Sequence, residues 1–312
     1  MTDTSAPTRL SRRRLLTEGA VAGGVALAAA SCAMNDPDPM SPKDRAVEVA
    51  RVDQVPADDP HSRNWKYGYA MRIELDGQLM ANPQRPTPSQ PYLTVQAIHD
   101  GNRIGFRIEW EDPDESNSTS HVNWFRDGVA VLLAPGAGDE ALRTMGSKDT
   151  PATILQWKAD WQRQVNGDMQ WIPQAFPNTA VDYYPPLYQT KPKDVTPKSY
   201  EEAKASQWLP GMAVGNPNAA TARTSSIEKL TAHSFGTLAS CPTQNCSGRG
   251  TYADGRWVAT LSKPLTATDP DELSLSPGSA YTCAFAMWTG SQGDSGSKKS
   301  PSKTAHTLVL AS

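Results

Sequence analysis

The fold class is decided by one segment, Leu93-Thr-Val-Gln-Ala-Ile-His-Asp-Gly-Asn-Arg-Ile-Gly-Phe-Arg-Ile-Glu-Trp110. Apolar side chains occupy every second position from Leu93 to Ala97 and again from Ile104 to Trp110, and this period of two is typical of a half-buried strand. The intervening Asp-Gly-Asn has the composition of a tight turn. The segment therefore predicts an antiparallel hairpin with one face in a core.

The same pattern predicts six further strands, and helical patterns occur only at 200–207 and 139–145. Residues 159–225 are rich in Pro and aromatic side chains, which predicts an ordered excursion packed over the sheet. With 26 Pro and 22 Gly in 312 residues, the chain is predicted to be all-β: an antiparallel β-sandwich of one domain, 63–312, with few short helices. The six further strands are expected at 69–75, 128–134, 153–158, 256–262, 281–288 and 305–310.

The N-terminal region has the pattern of an export signal. Ser11-Arg-Arg-Arg-Leu-Leu16 resembles a twin-arginine motif, and the apolar run that follows it is too short for a transmembrane helix. Small residues precede Cys32, which suggests lipidation of that cysteine, with simple cleavage nearby as the alternative. Residues 1–31 are therefore predicted to be the signal and 32–62 a flexible tether, which would place the protein outside the cytoplasm, tethered to a membrane surface.

The charge balance and the cysteines exclude two kinds of site: one that binds nucleic acid and one that holds a metal through cysteines. Thirty Lys and Arg against 33 Asp and Glu give a net charge of −3, which argues against a nucleic-acid-binding protein. Cys241 and Cys246 could close a small disulfide loop in an oxidising compartment. A zinc or iron–sulfur site is not supported, because no second cysteine pair accompanies them. Cys283 lies in an apolar strand and is interpreted as an inert core thiol.

Patterns of common catalytic sites are weak or absent. Thr231-Ala-His233 and Gly293-Asp-Ser295-Gly resemble the motifs of trypsin-like proteases, but only about 60 residues separate them, too few for that fold. The sequence has no dinucleotide-binding, P-loop or H-E-x-x-H motif, and no C-x-x-C-H for covalent haem attachment. The remaining candidates for a soft metal ligand are methionines, such as Met145, Met169 and Met287, and a desolvated lysine.

Eight strings along the chain form a recognisable series: His99–Asp112, Phe125–Pro135, Met145-Gly146, Ile154–Trp161, Phe235–Leu238, Gly250–Trp257, Phe285–Trp288 and Lys299–Ser302. Together they span most of 65–310, and the Trp-Lys-Ala-Asp-Trp string just after Met-Gly is the most specific. In this order and spacing they resemble the haem b-binding γ subunit of type II DMSO reductase-family molybdoenzymes, such as ethylbenzene and dimethylsulfide dehydrogenases and selenate and chlorate reductases.

The resemblance implies one non-covalent haem b with an unusual Met and Lys axial pair. Carried over, the ligands are Met145 and Lys299, with Lys298 and Lys303 as alternatives for the lysine. Lysine binds iron only as the neutral amine, so its pKa must fall well below the usual ~10.4. Trp157 and Trp161 are candidates for lining the haem or a partner surface, against the alternative that they are ordinary core residues.

The function implied is electron transfer within an exported complex. Two axial protein ligands leave no open iron position, which favours electron relay over substrate chemistry. The expected partners are a molybdopterin catalytic subunit and an iron–sulfur subunit. The competing hypothesis is a haem-free β-sandwich that binds carbohydrate or another small ligand, a function that would not require the Met145 and Lys299 pair.

Overall fold

The computed structural model describes residues 46–136, 144–170, 175–178, 209–220 and 222–312. These residues form thirteen β-strands, two short α-helices, α1 (Ala159–Val165) and α2 (Pro210–Ala213), and three 3-10 turns at Arg63–Tyr67, Pro217–Ala219 and Gly290–Gln292. The strands are β1 Ala46–Arg51, β2 Met71–Glu74, β3 Tyr92–His99, β4 Arg103–Glu111, β5 Gly128–Ala134, β6 Ala152–Lys158, β7 Ile227–Ala232, β8 Ala239–Ser240, β9 Gly250–Ala253, β10 Arg256–Pro264, β11 Ala280–Trp288, β12 Ser300–Pro301 and β13 His306–Leu310.

The strands form two sheets that share β1. Sheet A has the order β8-β7-β6-β5-β11-β13, with β12 paired to β11, and sheet B has the order β3-β4-β10-β9, with β2 paired to β3. Every pairing is antiparallel except those of β1. Ala46–Val49 pair in parallel with β13, and Ala50–Arg51 pair in parallel with β3. One strand therefore joins the two sheets.

The inner faces of the two sheets enclose the main core. Its centre is aromatic: the ring centroids of Trp110 and Trp157 lie 5.8 Å apart, and those of Trp157 and Trp257 lie 4.8 Å apart. Trp157 belongs to sheet A and the other two to sheet B, so these contacts hold the sheets face to face. A Cβ at Gly250 would lie 2.2 Å from Cζ2 of Trp157, which explains a glycine in β9.

The all-β sandwich predicted from the sequence is confirmed. The predicted hairpin is β3 and β4, and all six further predicted strands are present within one or two residues of their expected bounds. The predicted helix at 200–207 lies outside the described residues, as does that at 139–145 apart from Thr144 and Met145. Most of the predicted excursion at 159–225 also lies outside them.

The structure has strands that the sequence analysis does not predict: β1, β7 and the short strands β8, β9 and β12. The Pro- and Asp-rich composition of 32–62 predicts a tether, but Val47 and Val49 within it are buried and β1 is a strand of both sheets. β7 was missed because Glu228 and Lys229 interrupt its apolar pattern. Both are fully buried, and each is compensated by a buried partner of opposite charge.

Among the described residues, no helix combines the length and the apolar character needed to cross a bilayer.

Candidate functional site

Sheet A has a second buried apolar face, on the side opposite the main core. In β5, Val129, Val131 and Leu133 enter the core, so the alternating residues face the other way. We call this face the alanine floor, because most of its side chains are alanines that project little beyond the backbone. It consists of Ala130, Leu132, Ala134, Ala152, Ile154, Leu230, Ala232, Ala284 and Trp288, with Ala286 packed against them.

Met145 packs against the alanine floor in an unusual backbone conformation. Its φ is 58°, a left-handed value that few non-glycine residues adopt. The next residue, Gly146, has a φ of 84°, and a Cβ there would lie 2.5 Å from the carbonyl oxygen of Ala232 and 2.7 Å from the amide nitrogen of Ala152. The Met-Gly turn is therefore pressed against the floor, and only glycine fits after Met145. Backbone strain of this kind often marks a functional residue.

Lys299 reaches the same place from the other end of the chain. It immediately precedes β12, and its Nζ lies 3.6 Å from the Sδ of Met145. The same Nζ lies 5.8 Å from the ring centroid of Trp288, which is part of the alanine floor. The structure thus brings a thioether and an amine together over an apolar surface.

The surroundings of Lys299 favour the neutral amine. Burial lowers its pKa from the usual value. Among the described residues no carboxylate pairs with this half-buried lysine, whereas the three fully buried lysines all have acidic partners: Lys158 with Glu228, and both Lys229 and Lys263 with Glu272. A neutral amine carries the lone pair that a metal ligand needs.

The alternative lysines do not make this contact. The Nζ of Lys303 donates to Oε2 of Glu74 at 3.0 Å on the surface. Lys298 donates its backbone N–H to the carbonyl oxygen of Ser295, and no contact of its side chain with Met145 occurs in the described part of the chain. Lys299 is therefore the one of the three lysines that contacts Met145.

The structure does not bring the two predicted tryptophans to the Met145 and Lys299 pair. Trp157 is fully buried between the sheets, on the face of β6 opposite the alanine floor. Trp161 lies on α1, where its ring is flanked by Nζ of Lys158 at 4.1 Å and by the guanidinium of Arg223 at 3.7 Å. The aromatic residue that does approach Lys299 is Trp288, which the sequence analysis did not select.

A signal for the missed part of the site is present in the sequence. Ala284, Ala286 and Trp288 alternate along β11, as do Ala130, Leu132 and Ala134 along β5. Such alternation of small residues with larger apolar ones predicts two different buried faces rather than one buried and one solvated face. The chemistry of the second face becomes clear only when Met145 and Lys299 are placed on it.

The other sequence candidates are separate from this site. Nε2 of His233 lies 3.4 Å from Oδ2 of Asp271, and no contact joins it to Ser295 among the described residues. Cys241 and Cys246 are buried thiols in the structure. Burial raises the pKa of Cys241 to about 11 and that of Cys246 to about 12. The disulfide between them stays a prediction.

Comparison with solved structures finds only distant likeness. A family 9 carbohydrate-binding module from Caldicellulosiruptor kristjanssonii, in complex with cellotriose, is 10% identical, with a TM-score of 0.38, over 85% of this chain and 93% of that one. The same kind of module in complex with glucose is 9% identical, with a TM-score of 0.32, over 84% of each chain.

Comparison with protein sequences is more informative. A protein of Haloferax mediterranei named "Putative respiratory nitrate reductase heme subunit ORF7" is 21% identical over 259 residues, covering 82% of this chain and 71% of the relative. The family model described as ethylbenzene dehydrogenase matches residues 62–300, which include both Met145 and Lys299. That match spans most of the chain and includes strands β2 to β11, so the chain belongs to the ethylbenzene dehydrogenase family.

Proposed function

We propose that the protein is an electron-transfer subunit that holds one non-covalent haem b, with Met145 and Lys299 as the axial ligands. The observation that carries this proposal is the 3.6 Å contact between the Sδ of Met145 and the Nζ of Lys299, made by residues from opposite halves of the chain. A carbohydrate-binding module has no need of a half-buried amine that meets a thioether in this way.

The residues present suit a haem. The alanine floor offers an apolar surface beside the pair, and burial lowers the pKa of the Lys299 amine from its usual value. Met145 would hold the haem iron through its thioether sulfur and Lys299 through its amine nitrogen. Met has three rotatable bonds and Lys a flexible four-carbon stem, so both side chains can adjust to a bound group. The sequence contains no C-x-x-C-H motif, so attachment would be non-covalent.

The ligand pair determines what the site does. Haem supplies a one-electron couple when bound. Met145 and Lys299 would occupy both axial positions, which excludes oxygen and substrate from the iron. The apolar floor would keep water away and so contribute to the reduction potential. Electron relay, rather than catalysis on the haem, is the function that follows.

The family and the relative's name support a place in a respiratory molybdoenzyme complex. We propose that the partners are a molybdopterin catalytic subunit and an iron–sulfur subunit, with an external donor or acceptor at the other end of the relay. The protein itself would not transform the substrate of the complex.

The test is the absorption spectrum of the purified full chain, oxidised and reduced, after expression with haem supplied. We expect a low-spin b-type spectrum, and acidified organic solvent should extract all of the haem because no covalent bond holds it. The matched control is the double variant Met145→Ala, Lys299→Ala, in which both ligands are removed. A parent protein without a Soret band, or with a spectrum equal to that of the double variant, would contradict the proposal.

We further propose that the protein is exported by the twin-arginine route and lipidated at Cys32, which would tether it to the outer face of a membrane. Residues 1–45 lie outside the described part of the chain, and this proposal rests on the sequence motif. Cys32→Ser should release the protein from the membrane fraction, and Arg12→Lys with Arg13→Lys should block export. If the Cys32 variant fractionates with membranes as the parent does, lipidation is wrong.

A further inference from the structure

The segment that carries Lys299 is an irregular connection between β11 and β12. It is tied to itself at several points: the N–H of Thr289 donates to Oδ2 of Asp294 at 3.0 Å, and Nε1 of Trp288 donates to the carbonyl oxygen of Gly296 at 2.9 Å. These bonds shape the first half of the connection. At its other end, the N–H of Lys298 donates to the carbonyl oxygen of Ser295, and Ser300 pairs with Met287 of β11.

A distant arginine adds side-chain bonds to the two ends of this stretch. Nη2 of Arg85 donates to Oδ2 of Asp294 at 2.8 Å and to Oγ of Ser300 at 3.3 Å. Asp294 and Ser300 lie on either side of Lys299 in the sequence, and both are buried, with exposed fractions of 4% and 0%. One guanidinium nitrogen therefore joins the two ends of the stretch that contains Lys299.

Arg85 is itself held by an ordered loop between β2 and β3. Its N–H donates to the carbonyl oxygen of Gln78 at 2.7 Å. The buried side chain of Gln78 bonds three loop groups: the N–H and the carbonyl oxygen of Ala81, each at 2.8 Å, and the carbonyl oxygen of Pro83 at 3.0 Å. The backbone of Arg85 is therefore held by the loop, and its side chain can restrain Asp294 and Ser300.

A second tie connects the same loop to the residues just after Lys299. The N–H of Asp76 donates to the carbonyl oxygen of Pro301 at 2.7 Å, and Leu75 forms a β-bridge with Ser302. The chain on the C-terminal side of Lys299 is therefore aligned by backbone contacts. On the N-terminal side, between Asp294 and Lys299, Arg85 supplies the long-range tie.

We propose that Arg85 is a positioning residue for the Lys299 ligand, acting through Asp294 and Ser300 without touching the haem. This inference rests on the proposed haem function and adds to it a residue from a distant loop. Arg85 holds the two ends of the Lys299 stretch at a fixed separation, so that the amine meets Met145 rather than swinging toward solvent. Its ion pair with Asp294 also compensates a carboxylate that is 4% exposed.

The experiment uses the full chain loaded with haem. In Arg85→Gln we expect a larger high-spin fraction of the oxidised protein, and carbon monoxide binding to the reduced protein on the order of tenfold faster, because a charge-assisted tie of the ligand segment is lost. Haem content and the Met145 ligation should be unchanged. Arg85→Lys, which keeps the charge, should restore part of the parent behaviour.

A double-mutant cycle tests the route of the effect. Asp294→Asn should show the same change as Arg85→Gln, and the double variant should be no worse than either single variant, because both remove one interaction. The matched control is Arg72→Gln. Arg72 lies on the neighbouring strand β2, where its guanidinium stacks on Tyr92 at 3.5 Å, and it should leave spin state and carbon monoxide binding unchanged.

The proposal is overturned if Arg85→Gln behaves as Arg72→Gln does, or if the effects of Arg85→Gln and Asp294→Asn add. If Arg85→Gln does not fold, Ser300→Ala removes one accepting group with little disturbance, and an unchanged spin state in Ser300→Ala and Arg85→Lys overturns it equally. If the parent protein binds haem through Lys299 but Arg85→Gln changes neither spin state nor carbon monoxide binding, only this inference is refuted. A parent without haem refutes the proposed function as well.

Discussion

Replacing Lys299 with alanine is expected to open one axial position of the bound haem. The oxidised protein should change from low spin to high spin, and the reduced protein should bind carbon monoxide. Haem affinity should fall by roughly 10–100-fold or more, since loss of a direct ligand costs at least as much as loss of its supporting partner. Lys299→Arg should not restore the parent spectrum, because the guanidinium stays protonated and has no lone pair to donate. Absorption spectra and a haem titration of the full chain measure these effects.

Two neighbouring lysines provide controls for the Lys299→Ala variant. Lys298→Ala removes the adjacent lysine, and Lys303→Ala removes one that is paired with Glu74 on the surface. Both should keep the parent spectrum. If Lys298→Ala opens the iron and Lys299→Ala does not, the ligand assignment is displaced by one residue. Dependence on a histidine instead of either lysine would refute the Met145 and Lys299 pair.

Met145→Ala should have a different signature from Lys299→Ala. It too should open the iron to carbon monoxide, but it should also lower the reduction potential, because thioether ligation favours ferrous over ferric iron. Redox titration of the haem-loaded parent and variant measures this shift. A variant with unchanged potential would argue that the thioether is not a ligand.

The largest expected loss of stability comes from Glu272, in a buried cluster that does not include Met145 or Lys299. Oε2 of Glu272 lies 2.6 Å from Nζ of Lys229, and Oε1 lies 3.2 Å from Nζ of Lys263. All three side chains are wholly buried. Glu272→Gln would leave two lysines in the interior with one fewer negative charge, so the free energy of unfolding should fall by about 3–5 kcal/mol near pH 7. Chemical denaturation measures the loss.

The pH dependence of that loss follows from the pKa of Glu272. Burial alone would raise it, but the hydrogen bond from Lys229, the N–H of Thr268 and the charges of Lys263 and Lys229 outweigh burial and lower the pKa to about 2 from its usual 4.5. The stabilisation is therefore complete above pH 4.5 and is lost as the pH falls toward 2. The gap between parent and Glu272→Gln should close over that range.

A surface pair gives the comparison for Glu272. Glu74 bonds Lys303 at 3.0 Å with both side chains more than half exposed, and Glu74→Gln should change the free energy of unfolding by less than about 1 kcal/mol. If Glu272→Gln costs no more than Glu74→Gln, the buried cluster does not contribute as described.

Much of the fold could be predicted from the sequence because the strands of the sandwich alternate in polarity. β3 and β4 show this well: Leu93, Val95 and Ala97 are fully buried while the residues between them are half-exposed. Alternation in polarity does not reveal a strand whose buried positions carry charged residues. Glu228 and Lys229 look like surface residues in sequence, and only the three-dimensional arrangement shows that Lys158 and Glu272 compensate them.

The candidate site could be predicted in part. Met145 and Lys299 came from a family resemblance, and their contact is what the structure adds. Trp157 and Trp161 were selected because they flank the most specific string, yet strand alternation turns Trp157 toward the other sheet. Trp288 and Arg85 could not be found from sequence, since their relevance depends on contacts between segments far apart in the chain.

The position of β1 has a mechanical consequence. The strand runs parallel to both of its neighbours, with Ala46–Val49 on β13 and Ala50–Arg51 on β3. A pull along the strand axis on the chain that precedes Ala46 would load the hydrogen bonds of β1 in shear, so that several would have to break together rather than one after another. Tension transmitted through the N-terminal segment would thus act on a strand that is paired with both β13 and β3. Such a strand is harder to pull out than an edge strand, whose hydrogen bonds can break one at a time.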